Sequence, residues 1–110
     1  MRKQPVLEKY VVARIVKALK ERPSVAVRKR HGTAMGVAGD PDLYGSIGGR
    51  HFEIEVKRPD GPPSMPTELQ AQRMQEWRDA GALVGIARSV EDAFAILDIT
   101  SMDSEPEARS

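Results

Sequence analysis

Two short stretches of this chain hold residue types that could do chemistry together: Asp40-Pro41-Asp42 and, further along, Glu55-Val56-Lys57. If Arg50 to Arg58 is a strand, His51, Glu53, Glu55 and Lys57 point to one face and Phe52, Ile54 and Val56 to the other. The apolar side anchors such a strand rigidly, as a reactive centre requires. Asp42 falls at the start of a partner strand, close enough across a hairpin to converge with Glu55. Pro41 fixes the backbone beside it, and the preceding glycines leave the chain free to turn.

Two converging carboxylates beside a lysine suit phosphodiester hydrolysis. That reaction brings a nucleophile against an anionic phosphate and develops further charge in the transition state. Carboxylates alone would repel the substrate. A divalent cation held by Asp42 and Glu55 would neutralise the phosphate, acidify a bound water and orient its attack. Lys57, on the same face as Glu55, could orient that water or offset phosphate charge. The backbone carbonyl of Val56 lies between the two active side chains and is a further candidate ligand. The chain has no cysteine, so thiolate metal sites and disulfides are excluded and hard cations, Mg²⁺ or Mn²⁺, are favoured.

The elements that must position these groups are legible in the pattern. Leu7, Val11, Val12, Ile15, Val16 and Leu19 recur at helical spacing, giving an amphipathic helix over 7–20 that Pro23 ends. Ser24 to Arg28 alternates as a strand, and Gly32, Gly36 and Gly39 mark a loop over 31–40. Leu43 to Ile47 and Arg50 to Arg58 form two strands joined at Gly48-Gly49, a hairpin signal that implies antiparallel pairing. Four prolines between Pro59 and Pro66 exclude continuation of the sheet. Thr67-Glu68-Leu69-Gln70 is a capping-box pattern for a helix running to about Ala80, before Gly81. Ala82 to Ala87 is a short apolar run, expected as a strand buried on both faces, and Ser89 starts a last helix through about Leu97. The order is helix, strand, hairpin, helix, strand, helix: an α/β layer with a mixed sheet covered by helices.

At 110 residues the chain has room for one domain, expected over 1–100, with 101–110 a frayed polar tail. Its 40% hydrophobic and 30% charged residues are ordinary for a globular protein and argue against wholesale disorder. A net charge of +1 does not speak for a nucleic-acid partner; local clusters such as Arg28-Lys29-Arg30 beside His31 matter more. No apolar run is long enough for a signal peptide or membrane span, so a cytosolic location and no membrane partner are expected.

Gly39-Asp40-Pro41-Asp42-Leu43, then Glu55-Val56-Lys57, then Gln70, resembles the virus-type replication-repair nuclease (VRR-NUC) domain of the PD-(D/E)xK superfamily. The resemblance covers nearly the whole chain. It implies a restriction-endonuclease-like mixed sheet flanked by helices, in the order α-β-β-β-α-β-α, and a divalent-metal-dependent nuclease acting on DNA. It makes Asp42 and Glu55 metal ligands and Lys57 the catalytic lysine, adds Gln70 to the catalytic set, and brings in Glu8 on the first helix as a ligand. Arg28, Arg30, Arg58 and Arg73 would grip the DNA backbone. Compact members of the family resemble phage enzymes that act as homodimers on four-way junctions, and two active centres related by a two-fold axis would suit such a substrate. The alternatives are a non-catalytic DNA-binding module and a structural subunit of a replication or repair complex.

Each residue also has a plainer reading. Asp42 could begin a turn, and Glu55 and Lys57 could form a surface ion pair. Gln70 is explained by the capping box alone, and Glu8 by the helix dipole. Glu53 and Asp40 are read as solvated acids rather than supporting groups, His31 and His51 as surface residues, and Trp77 as packing rather than base stacking.

Overall fold

The computed structural model describes residues 7–31, 36–59 and 66–99. The elements are α1 (Glu8–Lys20), β1 (Val25–Lys29), β2 (Leu43–Ile47), β3 (Arg50–Val56), α2 (Glu68–Asp79), β4 (Leu83–Ala87) and α3 (Val90–Ile96). The order is the one the sequence pattern predicts. The tail 101–110 and most of the proline-rich segment lie outside the described residues.

The four strands form one sheet in the order β1-β2-β3-β4, with the first three antiparallel and β4 parallel to β3. Gly48 and Gly49 both take positive φ, 55° and 88°, as a two-residue turn matched to strand twist requires. β3 is therefore an inner strand, and every residue from Phe52 to Val56 is buried. The apolar face of the sheet carries Val27, Leu43, Phe52, Ile54, Val56 and Ala87. It packs on Val11, Val12, Ile15 and Leu19 of α1 and on Ala93 of α3 with Leu97 beyond it. Burying a side chain such as Ile15 or Phe52 stabilises the fold by roughly 1.5–3 kcal/mol each, enough for this one-sided core to hold β3 in place.

α2 packs over the other face, where Gln70 reaches Glu55 and Trp77 reaches Asp40 and His51, in line with a sheet flanked by helices. Thr67 caps α2 through a complete capping box: its hydroxyl accepts from Gln70 N at 3.1 Å, and Gln70 Oε1 accepts from Thr67 N at 3.0 Å. α3 is capped in turn by Ser89, whose hydroxyl accepts from Asp92 N at 3.0 Å. β4 departs from the burial on both faces expected of it: only Ala87 in it is fully buried, because the strand forms the edge of the sheet and α2 and α3 cover its faces in part. Among the described residues no helix is long and apolar enough to cross a membrane.

Candidate active site

Strand pairing explains how the chemical groups meet. Leu43 pairs with Ile54 across β2 and β3, and Lys29 pairs with Leu43 across β1 and β2. One further step along both registers sets Arg30, Asp42 and Glu55 side by side on the polar face. The Arg30 N–H donates to Asp42 O at 2.7 Å, so the backbone ladder does extend past the strand ends.

The Asp42 side chain takes over where the β2 backbone leaves off. Its Oδ2 accepts the Val56 N–H at 2.9 Å. The Val56 amide thus fixes the aspartate, in addition to the candidate role of its carbonyl. Glu55, 4% exposed, receives two donors on Oε2: Lys57 Nζ at 3.3 Å and Gln70 Nε2 at 3.1 Å. Gln70 is used at both ends of its amide, its carbonyl oxygen capping α2 and its amide nitrogen bonding Glu55. The Glu55–Lys57 pair is half-sheltered rather than a surface ion pair.

This centre is short of positive charge. The Glu55 carboxyl is pushed up to about 7, first by burial and next by the neighbouring Asp42 charge; Lys57 opposes the shift, and Glu8 adds to it. Glu8, exposed in the first turn of α1, is close enough to be felt electrostatically. It is not gathered as a third ligand, since among the described residues no three His, Cys, Asp or Glu side chains cluster tightly enough to hold an ion. Asp42 Oδ1 and Glu55 Oε1 carry no hydrogen bond among the described residues. They leave two hard oxygen donors on neighbouring residues of a site repelled by its own charge. That donor set fits Mg²⁺ or Mn²⁺, which bind through one or two carboxylates and complete their shell with water and phosphate.

A second polar cluster stands two residues back along β3, where solvated groups were expected. Glu53 is fully buried. Its Oε1 accepts from Arg30 Nη1 at 2.6 Å, and its Oε2 from Arg30 Nη2 at 3.1 Å and from His51 Nε2 at 2.6 Å. Arg30 also donates to Pro41 O at 2.8 Å, lies 3.8 Å from Asp40 Oδ2, and stacks 4.5 Å from the Tyr44 ring centroid. Burial lowers the Arg30 pKa, but Glu53 more than reverses this, so it stays above its ordinary value. Trp77 Nε1 donates to Asp40 Oδ1 at 3.2 Å, and its ring meets His51 at 4.7 Å between centroids. Trp77 is packing, as expected. Glu53 is buried and Asp40 nearly so, under Trp77, while His51 keeps 37% of its side chain exposed beside the Trp77 ring.

The expected DNA-gripping arginines divide. Arg30 is committed to Glu53 and the Pro41 carbonyl. Arg73 donates to Ala38 O at 3.1 Å and lies 3.3 Å from Glu76. It packs with Leu69 over Gly39, whose φ of +87° and lack of a side chain let the loop lie flat on α2. Both serve the protein's own backbone. Arg28 and Arg58 are exposed, Arg28 donating to Val27 O at 2.9 Å, and His31 is exposed as expected. A usable clue to the Glu53 cluster was present in the sequence: an acid between Phe52 and Ile54 on a strand with neighbours on both sides needs a buried counter-charge.

No protein-family model matches the chain, and no curated protein sequence matches it. Solved structures share its architecture, and two of them are VRR_NUC domains by title. One, titled "VRR_NUC domain protein", is 21% identical with a TM-score of 0.69, the match covering 87% of this chain and 88% of that one. The other, a "VRR_NUC domain", is 22% identical with a TM-score of 0.62, covering 83% and 94%. The chain has the fold of VRR_NUC domains.

Proposed function

We propose that this VRR_NUC-like domain is a divalent-metal-dependent nuclease that hydrolyses DNA phosphodiester bonds. The observation that carries the reading is the in-register pair of half-buried Asp42 and buried Glu55, set beside Lys57 and repelled by its own charge. Burial of like charges without full compensation disfavours folding; it is understandable where a cation and a phosphate complete the arrangement.

Asp42 and Glu55 would hold Mg²⁺ or Mn²⁺. A divalent ion bound there supplies neutralisation of the phosphate and a lowered pKa for the attacking water. The rest falls to the chain. The Val56 N–H and Gln70 Nε2 hold the two carboxylates in fixed orientations. Lys57, anchored to Glu55 at 3.3 Å, presents an ammonium that orients the water or stabilises charge gathering on phosphate oxygens. Exposed Arg28 and Arg58 remain available for the DNA backbone.

Incubation with supercoiled, linear and four-way-junction DNA, in Mg²⁺, in Mn²⁺ and in chelator, tests this. Metal-dependent cleavage lost in Asp42→Asn and Glu55→Gln supports the proposal; tight DNA binding without cleavage would replace it with a non-catalytic binding module. Action on junctions by a homodimer is the finer proposal, resting on the family resemblance and on two-fold symmetry. Paired symmetric nicks, with a dimer in sedimentation, would support it.

A further inference from the structure

We propose that the Arg30–Glu53 pair is a positioning device for Asp42, and that its geometry, rather than its contribution to folding, is what the site uses. The proposal rests on the reading of Asp42 as a metal ligand.

Asp42 follows Pro41 in a segment that no regular strand holds. Four contacts replace a strand there. The Arg30 N–H donates to Asp42 O at 2.7 Å, and Arg30 Nη1 donates to Pro41 O at 2.8 Å. Trp77 Nε1 donates to Asp40 Oδ1 at 3.2 Å, and the Val56 N–H donates to the Asp42 carboxylate at 2.9 Å. Two of the four come from one residue. One is its backbone N–H; the other, to Pro41 O, Arg30 can give only while its guanidinium plane is fixed, and Glu53 fixes it by accepting from both Nη1 and Nη2. His51 Nε2, on the second Glu53 oxygen, and the Tyr44 ring against the guanidinium restrict the pair further.

Glu53 and Glu55 project from the same face of β3. Glu55 is one carboxylate of the candidate metal site, and Glu53, through Arg30, sets the backbone carrying the other. The spacing of Asp42 from Glu55 is therefore referred twice to one rigid strand: once by the Val56 amide and once by Glu53. A lysine at position 30 could keep the charge but could not bond Glu53 through two nitrogens and reach Pro41 O together. A purely fold-stabilising role is a weak explanation for the pair, because apolar side chains of similar volume generally stabilise as well or better.

The test replaces the pair in a way that spares the fold. In Arg30→Met/Glu53→Met the thermal midpoint should stay at or above that of the parent, while Mn²⁺ affinity, measured by calorimetry without DNA, falls about 10–100-fold, the range typical of groups that orient ligands. Arg30→Lys, which leaves Glu53 a counter-charge, should weaken Mn²⁺ binding about tenfold. A second reading needs no metal. Exchange of the Val56 amide should quicken at least tenfold in both variants while Leu43 and Phe52 amides keep parental rates. Parental Mn²⁺ affinity and parental Val56 exchange in a folded variant would overturn the proposal. If the parent itself binds no Mn²⁺, the nuclease reading fails, and Val56 exchange still decides whether Arg30 and Glu53 hold Asp42.

Discussion

Glu53 and Glu55 sit two positions apart on one strand, point to the same face and are both buried, yet their surroundings are opposite. Glu53 is fully compensated, with Arg30 on both oxygens and His51 on one. Glu55 has one ammonium and one amide on a single oxygen, and faces Asp42 and, further off, Glu8. Burial therefore does not distinguish the two acids; the charge left uncompensated does. The compensated cluster is neutralised from within, and the uncompensated one carries the charge that a cation would neutralise.

The largest expected effect breaks the comparison at its reactive end. Lys57→Ala should lower the single-turnover cleavage rate about 10²–10⁴-fold, the usual contribution of a positioned proton-handling or charge-stabilising group, with folding unchanged by circular dichroism. Parental cleavage by Lys57→Ala would remove the mechanism.

The next effect is thermodynamic and has opposite signs at the two glutamates. Glu53→Ala leaves the Arg30 charge sheltered without its partner and should destabilise by about 3–5 kcal/mol in urea unfolding. Glu55→Gln removes a charge that the metal-free fold resists and should raise stability at pH 8. The pH dependence follows from the same shift. The folded pKa of about 7 lies above the ordinary 4.5, so the folded state holds the proton more tightly than the unfolded chain. The resulting stabilisation is fully present below about pH 4.5 and is lost as pH rises through about 7, by up to roughly 3 kcal/mol at about 1.4 kcal/mol per unit. A stability curve against pH for the parent should show this loss, Glu55→Gln should abolish it, and saturating Mg²⁺ should offset it. Identical slopes for parent and Glu55→Gln would mean that Glu55 is not the strained member.

Alternation by two read the faces of β3 correctly from the sequence and placed Asp42 opposite Glu55, because register along a hairpin is local. What covers a face is not local. Trp77 and Gln70 arrive from α2 across a proline-rich connection, and nothing in the spacing of His51, Glu53 and Glu55 announces a roof over them. For the same reason Arg30 and Arg73 read as phosphate ligands: a guanidinium suits a phosphate and a backbone carbonyl alike, and Pro41 O and Ala38 O reach it only through the fold. Gln70 was legible as a helix cap and, through the resemblance, as a site residue; a primary amide has two ends, and the structure uses both.

That double use gives the smallest and sharpest expected difference. Thr67→Ala and Gln70→Ala each dismantle the same capping box, so each should lose about 1 kcal/mol of stability. If capping were the whole role of Gln70, the two variants would match in every other respect. The Gln70 Nε2 bond to Glu55 Oε2 at 3.1 Å says otherwise: Gln70→Ala also frees one carboxylate of the proposed metal site to rotate. Cleavage and Mn²⁺ affinity should then fall about tenfold in Gln70→Ala and stay parental in Thr67→Ala. Equal losses in both variants would make α2 placement the cause and reduce Gln70 to a cap. Losses confined to Gln70→Ala would show the uncompensated glutamate being held in place by a neutral hand, which orients a carboxylate without satisfying its charge.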